Sequence, residues 1–497
     1  MRRLPPLAAI AFAPLLVAPL RAQDSPQGPL AGELVRFLRQ PRFASAQWGA
    51  LVVSLTRGDT LFAWNADRRL VPASNAKLFT TAAALHYLGP DYRFLTALYA
   101  DGAVRSGELF GDLVLYGTGD PMFAEDTASL APFADSVVKA GIHRIRGDIV
   151  GDASFLGAEL TGPGWSPDNV EEEYAAPPSA LGAAENRLRL TLYPGPARGA
   201  PTTFELTPPS DFYHIVNRVT TGRPRQRSRI TVRHLRGDTV EVAGTINPRT
   251  SRWGTWIVVH EPARFAASLL RQLLAARGVA VDGFTRSVVD DVPERAEDVL
   301  QRVTTYASPL QRTLAVHRSA ALNDIVLMIN HRSHNLSAEL ALRSIGRVAG
   351  NAGTFASGAR LVQRFLTEQV GVAADAVQVN DGSGLSLLDE ATPRALVQLL
   401  AFMRHSSEGN DFYRSLPMVG DGLSRRMSRT AAWGRLRAKT GTLVGVSALS
   451  GYVTTEDGEE LAFSLMVNGA RSIRRARQVQ DSVGVRLAEL HRESLGP

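Results

Sequence analysis

Ser74 and Lys77, in the stretch VPASNAKLFTTAAALHYLGP (71–90), stand three residues apart at the start of an alanine- and leucine-rich run. On a helix that spacing puts both side chains on one face. A serine hydroxyl is a weak nucleophile near neutral pH and needs a base within hydrogen-bond reach. A partly desolvated lysine amine can give up its proton and serve as that base, which an arginine effectively cannot. The N–H groups at a helix start add positive partial charge that stabilises developing negative charge. Lysine is also scarce: among 55 basic residues, Lys77, Lys139 and Lys439 are the three lysines and the rest are arginines. Taken alone, S-x-x-K reads better as a serine N-cap beside a surface lysine than as a nucleophile and its base.

Two further elements extend the chemistry. Ser333-His334-Asn335, inside INHRSHNLSAEL, offers a hydroxyl and an amide that could relay a proton and hold a substrate amide. Lys439-Thr440-Gly441-Thr442, inside LRAKTGTLVGVSALSGYV, enters a strand. There Gly441 allows close approach of a substrate backbone, and Lys439 and Thr440 can bind a carboxylate. An arginine could in principle hold a carboxylate at position 439. Two of the three lysines thus fall on motif positions, whereas Lys139 has no partner motif. His317, His331 and His334 lie close in sequence, but without cysteine or a nearby carboxylate pair no metal site is expected. His331 and His334 are expected along a polar helix start. Asp381 and Ser383, in NDGSGLS, read as a turn at the rim of the site, with Gly382 and Gly384 supplying positive φ. Trp165 and Tyr174 fit either a binding groove or core packing.

The S-x-x-K, S-x-N and K-T-G series resembles that of the penicillin-recognising serine acyltransferases. Within them the chain looks most like the class C low-molecular-mass penicillin-binding proteins, the D-alanyl-D-alanine carboxypeptidase/endopeptidase family. YGTGDPMF (116–123), YAAPPSALGAAEN (174–186), NDGSGLS (380–386) and LPMVGDGLS (416–424) add to the narrower likeness, which is weakest between about 195 and 295. His334 is a departure, since relatives often carry Asp there. The resemblance implies acyl transfer by Ser74 with Lys77 as base and Ser333 in the proton relay. It also implies an oxyanion hole from the N–H groups of Ser74 and Thr442, with Lys439 and Thr440 on the terminal carboxylate and Asn335 on the peptide amide. It implies no cofactor, peptidoglycan peptides as substrate and β-lactams as inhibitors. A serine β-lactamase or esterase on the same machinery, and a non-catalytic wall-binding protein, stay open as alternatives.

These residues need elements to position them. Gln47 to Leu55 and Thr60 to Trp64 read as a hairpin across TRGD, and a helix begins near Ser74 and stops at Gly89-Pro90. Short β-like runs fill about 92–299. Helices dominate from about Leu300, for example Ala320 to Asn330, Ala338 to Val348 and Pro393 to His405. After Lys439 comes a second hairpin turning at Asp457-Gly458, so the two ends are expected to meet in a single sheet. The expected class is α/β (α+β): a transpeptidase/β-lactamase-like domain, an antiparallel sheet flanked by helices, formed by 23–95 and 300–497. A β-rich region, 96–299, is expected to be inserted as two nested domains.

Residues 1–22 read as a cleavable secretory signal, with Arg2 and Arg3 before an apolar run, implying a periplasmic location. With no cysteine, packing must supply the stability. The net charge of +7 suits an acidic wall polymer or membrane surface. No basic cluster interleaves with aromatics, so nucleic acid is not expected as a partner. Arg471 to Arg477 read as a solvated helix face, membrane contact is at most peripheral, and a homodimer stays open.

Overall fold

The two chain ends meet in one five-stranded antiparallel sheet, in the order Leu436–Leu443, Val446–Thr454, Glu460–Asn468, Gln47–Ser54, Thr60–Trp64. The molecule is known here from a computed structural model that describes residues 29–123, 127–289, 311–423 and 425–492. The expected signal segment 1–22 and the expected junction near residue 300 lie outside the described residues. Strand Gln47–Ser54 is buried along all but its first residue because helices cover both faces of the sheet. Successive side chains alternate between the two faces. Ala50 and Val52 pack with Val479, Val483 and Leu487 of helix Ile473–Ala488, while Leu51 and Val53 pack with Leu78, Leu396 and Leu400 on the other side.

The expected hairpins, the helix stop at Gly89 (φ 83) and helix Pro393–His405 all form. Helix Leu322–Arg332 lies two residues later than the stretch read from the sequence, and helix Asn335–Gly350 extends the second stretch at both ends. The described residues between Leu95 and Val288 carry six strands of a seven-stranded sheet and two three-stranded sheets. They also hold two helices, Ala131–Lys139 and Pro262–Ala275, that their β-like texture concealed. The second has Pro262 in its first turn and buries Phe265, Leu269, Leu270 and Leu274 at helical spacing. Strand Gln311–Arg318 pairs antiparallel with Leu95–Arg105, so the chain rejoins this sheet before turning to the helices.

Leu336 and Leu340 of helix Asn335–Gly350 belong to a core otherwise built from residues between Leu95 and Val279, and Arg343 of the same helix reaches that stretch as well. Its guanidinium is fully buried and donates to the carbonyls of Leu156, Gly157, Glu159, Pro178 and Gly353. Only a planar five-donor fork serves so many acceptors from one point. Arg343→Met is expected to lower unfolding free energy by at least about 3 kcal/mol, because each abandoned buried carbonyl costs about 1–3 kcal/mol. Urea denaturation followed by tryptophan fluorescence measures it.

Candidate active site

Ser74 lies in a 3₁₀ turn, Ala73–Asn75, that leads into helix Ala76–Leu88. Ala73 has φ 48, an unusual value for a residue with a side chain, and it aims the next residue away from the helix axis. Two glycines grip this turn. A Cβ on Gly384 (φ 77) would lie 1.9 Å from the Ala73 carbonyl oxygen, and one on Gly441 would lie 2.7 Å from the Pro72 oxygen and 3.1 Å from the Ser74 nitrogen. The partner Gly441 admits is therefore the turn that carries Ser74, where a substrate backbone was expected. Asn75, fully buried, ties the same turn to the strand by donating from Nδ2 to the Lys439 carbonyl at 3.0 Å. Gly382 does not have positive φ. It is small because a Cβ there would stand 2.3 Å from the Ala338 carbonyl oxygen.

Lys77 is fully buried, and its Nζ contacts Ser74 Oγ at 3.0 Å, Asn335 Oδ1 at 2.7 Å and the Ser383 carbonyl at 2.8 Å. Two of these acceptors are carbonyl oxygens that cannot donate a hydrogen bond. A neutral amine has two N–H bonds and one lone pair. With both N–H bonds committed to the carbonyls, the lone pair faces the serine hydroxyl. Burial pulls the amine from its usual range down to about 8, opposed by the carboxyls of Glu339, Asp381 and Asp389. Glu339 accepts from the N–H groups of Gly382 and Ser383 at 2.6 and 2.9 Å, and burial raises it to about 8. Asp389 is pushed well above the carboxylate range by burial and by Asp381. The base acts only after losing its proton, so β-lactam acylation is expected to speed up as pH rises through about 8. Stopped-flow acylation between pH 6 and 10 checks this, and a rate flat across that range would remove Lys77 from the base role.

Ser333 is the left-handed cap (φ 56) ending helix Leu322–Arg332, and its Oγ accepts from Lys439 Nζ at 2.9 Å. Lys439 is 1% exposed, and burial together with Lys77 pushes it well below the usual lysine range. An arginine in its place would have to bury a larger guanidinium in the same space. Strand Leu436–Leu443 is the edge of its sheet. Ala438 donates its N–H outward to the Pro417 carbonyl, and strand groups repeat every second residue, so Thr440 and Thr442 also present their N–H groups outward. Thr442 Oγ1 accepts from Arg477 at 2.8 Å.

A family model described as "D-Ala-D-Ala carboxypeptidase 3 (S13) family" matches residues 30–490. The chain belongs to the S13 D-Ala-D-Ala carboxypeptidase family. It is accordingly a serine-type hydrolase. It is 34% identical to a D-alanyl-D-alanine carboxypeptidase of Actinomadura sp. (strain R39) over 93% of this chain and 84% of that protein. It is 24% identical to D-alanyl-D-alanine carboxypeptidase DacB of Haemophilus influenzae over 85% of each. The crystal structure of penicillin binding protein 4 (dacB) from H. influenzae shares the fold, with TM-score 0.76 and 22% identity over 92% of this chain and 98% of that one.

Several parts of this S13 site were not foreseen. Asp381 and Ser383 are fully buried behind Lys77, away from any rim. Asp381 accepts from the N–H groups of Gly384 and Ser386 and from Trp165 Nε1 at 2.8 Å, which makes Trp165 part of the packing. Tyr174 is exposed, and its carbonyl accepts from Asn335 Nδ2 at 2.8 Å. His331 ends one helix and His334 caps the next, with His334 Nε2 turned to Glu185 at 3.3 Å and His317 beside Asp120. Glu339 was overlooked although it lies four residues after Asn335, on the same helix face. Arg477 was read as solvated, yet it reaches the site strand.

Proposed function

We propose that this S13 enzyme releases the terminal D-alanine of peptidoglycan stem peptides through an acyl-enzyme on Ser74. The observation that carries the reading is Lys77 Nζ 3.0 Å from Ser74 Oγ with two carbonyl acceptors as its other partners, an arrangement in which the neutral amine turns its lone pair to the hydroxyl. As Ser74 Oγ attacks the carbonyl of the penultimate residue, its proton passes to Lys77 Nζ. The oxyanion forms against the N–H groups of Ser74 and Thr442, fixed donors at a helix start and a strand edge. The C–N bond breaks, and the departing amine takes a proton from Ser333 Oγ, resupplied from Lys439 Nζ at 2.9 Å. Thr440, Thr442 and Arg477 then face the terminal carboxylate, and Asn335 offers its remaining N–H to the peptide. The proton that Lys77 took from Ser74 passes on to restore the Lys439 ammonium, so Lys77 is again neutral; it then takes a proton from water as the water oxygen attacks the acyl carbon, and returns that proton to Ser74 Oγ as the ester C–O bond breaks.

The same cycle with a cross-linked amine as leaving group is the endopeptidase reaction. Periplasmic action follows from the peptidoglycan substrate and the signal-like start. Among the described residues, no helix is long and apolar enough to cross a membrane. A cavity of about 730 Å³ lined by Arg187, Arg189, Arg252 and Trp256 also suits the carboxylates of wall peptides. β-Lactams are the expected inhibitors, as one was bound to the H. influenzae protein. Digestion of purified sacculi with mass analysis of the products tests the proposal. Free D-alanine is the expected product, cleaved cross-links add the endopeptidase activity, and intact sacculi would overturn both.

A further inference from the structure

On the inserted stretch, apart from the serine site, two histidines and a glutamate converge from three separate segments. His234 ends strand Arg229–His234, His260 follows strand Trp253–Val258, and Glu171 lies in the loop between two short 3₁₀ turns. Glu171 Oε2 stands 3.4 Å from His234 Nε2, and Glu171 Oε1 stands 3.3 Å from His260 Nε2. All three ligand atoms lie within 4.8 Å of one another. Tetrahedral Zn²⁺ bonds of about 2.0–2.2 Å to nitrogen and oxygen place neighbouring ligand atoms about 3.3–3.6 Å apart. Each histidine nitrogen stands at about that separation from one of the two Glu171 oxygens, close enough for the carboxylate and both imidazoles to share one ion.

The surroundings hold the imidazoles in place. The rings of His234 and His260 face each other at 4.2 Å and 33°, and Tyr213 packs edge-on to His234 at 5.1 Å. The Tyr213 hydroxyl accepts the backbone N–H of His260 at 3.3 Å. The nearby cation, Arg264, is neutralised by Asp238 and Glu261. Partial exposure of Glu171 and His260 leaves an entry path and room for a water as fourth ligand.

We propose that Glu171, His234 and His260 form a binding site for a Zn²⁺-class divalent metal, which pins the active-site loop to the inserted sheet. Glu171 is three residues from Tyr174, whose carbonyl holds Asn335, and six from Trp165, which holds Asp381. The metal therefore acts on the frame of the serine site and takes no part in its chemistry. The site stands independently of the reaction assigned above.

The test uses the whole protein purified without a polyhistidine tag, stripped with EDTA and titrated with Zn²⁺ against a chromophoric chelator. One equivalent is expected to bind. His234→Ala and Glu171→Gln should each weaken it at least tenfold, while His317→Ala should leave it unchanged. Glu171 is half exposed, so its variant keeps the fold even where His234→Ala does not. Absence of one-to-one binding, or wild-type affinity in Glu171→Gln, overturns the site. Zn²⁺ should also slow hydrogen exchange across 165–175 in the wild type and not in Glu171→Gln. Unchanged exchange in the wild type overturns the pinning.

Discussion

Ser74→Ala is expected to abolish covalent labelling by a fluorescent penicillin and to cut D-alanine release by at least about 10³-fold, the scale of losing a nucleophile outright. The expected melting temperature is that of the wild type. The turn is held by Asn75, Gly384 and Gly441, none of which relies on the hydroxyl. What the hydroxyl does in the resting site is face Lys77 Nζ at 3.0 Å. Removing it leaves an amine with two carbonyl partners and nothing to deprotonate. Mass spectrometry after incubation with benzylpenicillin decides the matter: an adduct on the variant would mean that another group is the nucleophile.

Lys77→Arg is expected to be as damaging as Lys77→Ala, each lowering the acylation rate by about 10²–10⁴-fold, the usual contribution of a general base. Arginine keeps the charge but not the lone pair, since its guanidinium does not deprotonate in proteins. Position 77 is fully buried, and the neighbouring Glu339, Asp381 and Asp389 carboxyls favour the charged form there. A permanently charged guanidinium gives Ser74 no acceptor for its proton. Stopped-flow acylation of the two variants, compared at pH 7 and 9, measures this. The wild type should gain rate over that interval and the arginine variant should not. An arginine variant with a tenth or more of wild-type activity would show that charge, and not proton acceptance, is what position 77 supplies.

The three motifs were readable in the sequence because each is local: a serine and a lysine one helical turn apart, a hydroxyl two residues from an amide, a lysine entering a strand. The meeting of the two chain ends was readable too, since their strands are long apolar runs joined by short turns. The parts that went unread depend on long-range contacts. Nothing in VPASNAK announces that Ala73 takes positive φ, because the cause is a crossing by Gly384 from a distant loop. Glu339 looks like a surface residue of an amphipathic helix until the Gly382–Ser383 backbone is laid over it. Arg477 sits in a basic run that mostly faces water, and only the register of helix Ile473–Ala488 against Thr442 singles it out. The histidines considered for a metal, being close in sequence, part company in space. Those that converge with Glu171 are 26 residues apart by their numbers and are separated by two strands of different sheets.

The central sheet has a consequence for how the enzyme comes into being. Strand Gln47–Ser54 emerges early in synthesis, but the strand that covers one of its edges, Glu460–Asn468, is made more than 400 residues later. At about 5–20 residues per second the early strand waits roughly 20–80 s for its partner. Apolar on both faces, it is an aggregation hazard throughout that interval. The strand bearing Lys439 and Thr442 joins the sheet through the same late hairpin, so the Ser74–Lys77 pair receives those two neighbours only when the last sheet strands arrive. A nascent chain of this topology therefore lacks Lys439 and the Thr442 N–H beside Ser74 until synthesis is nearly complete.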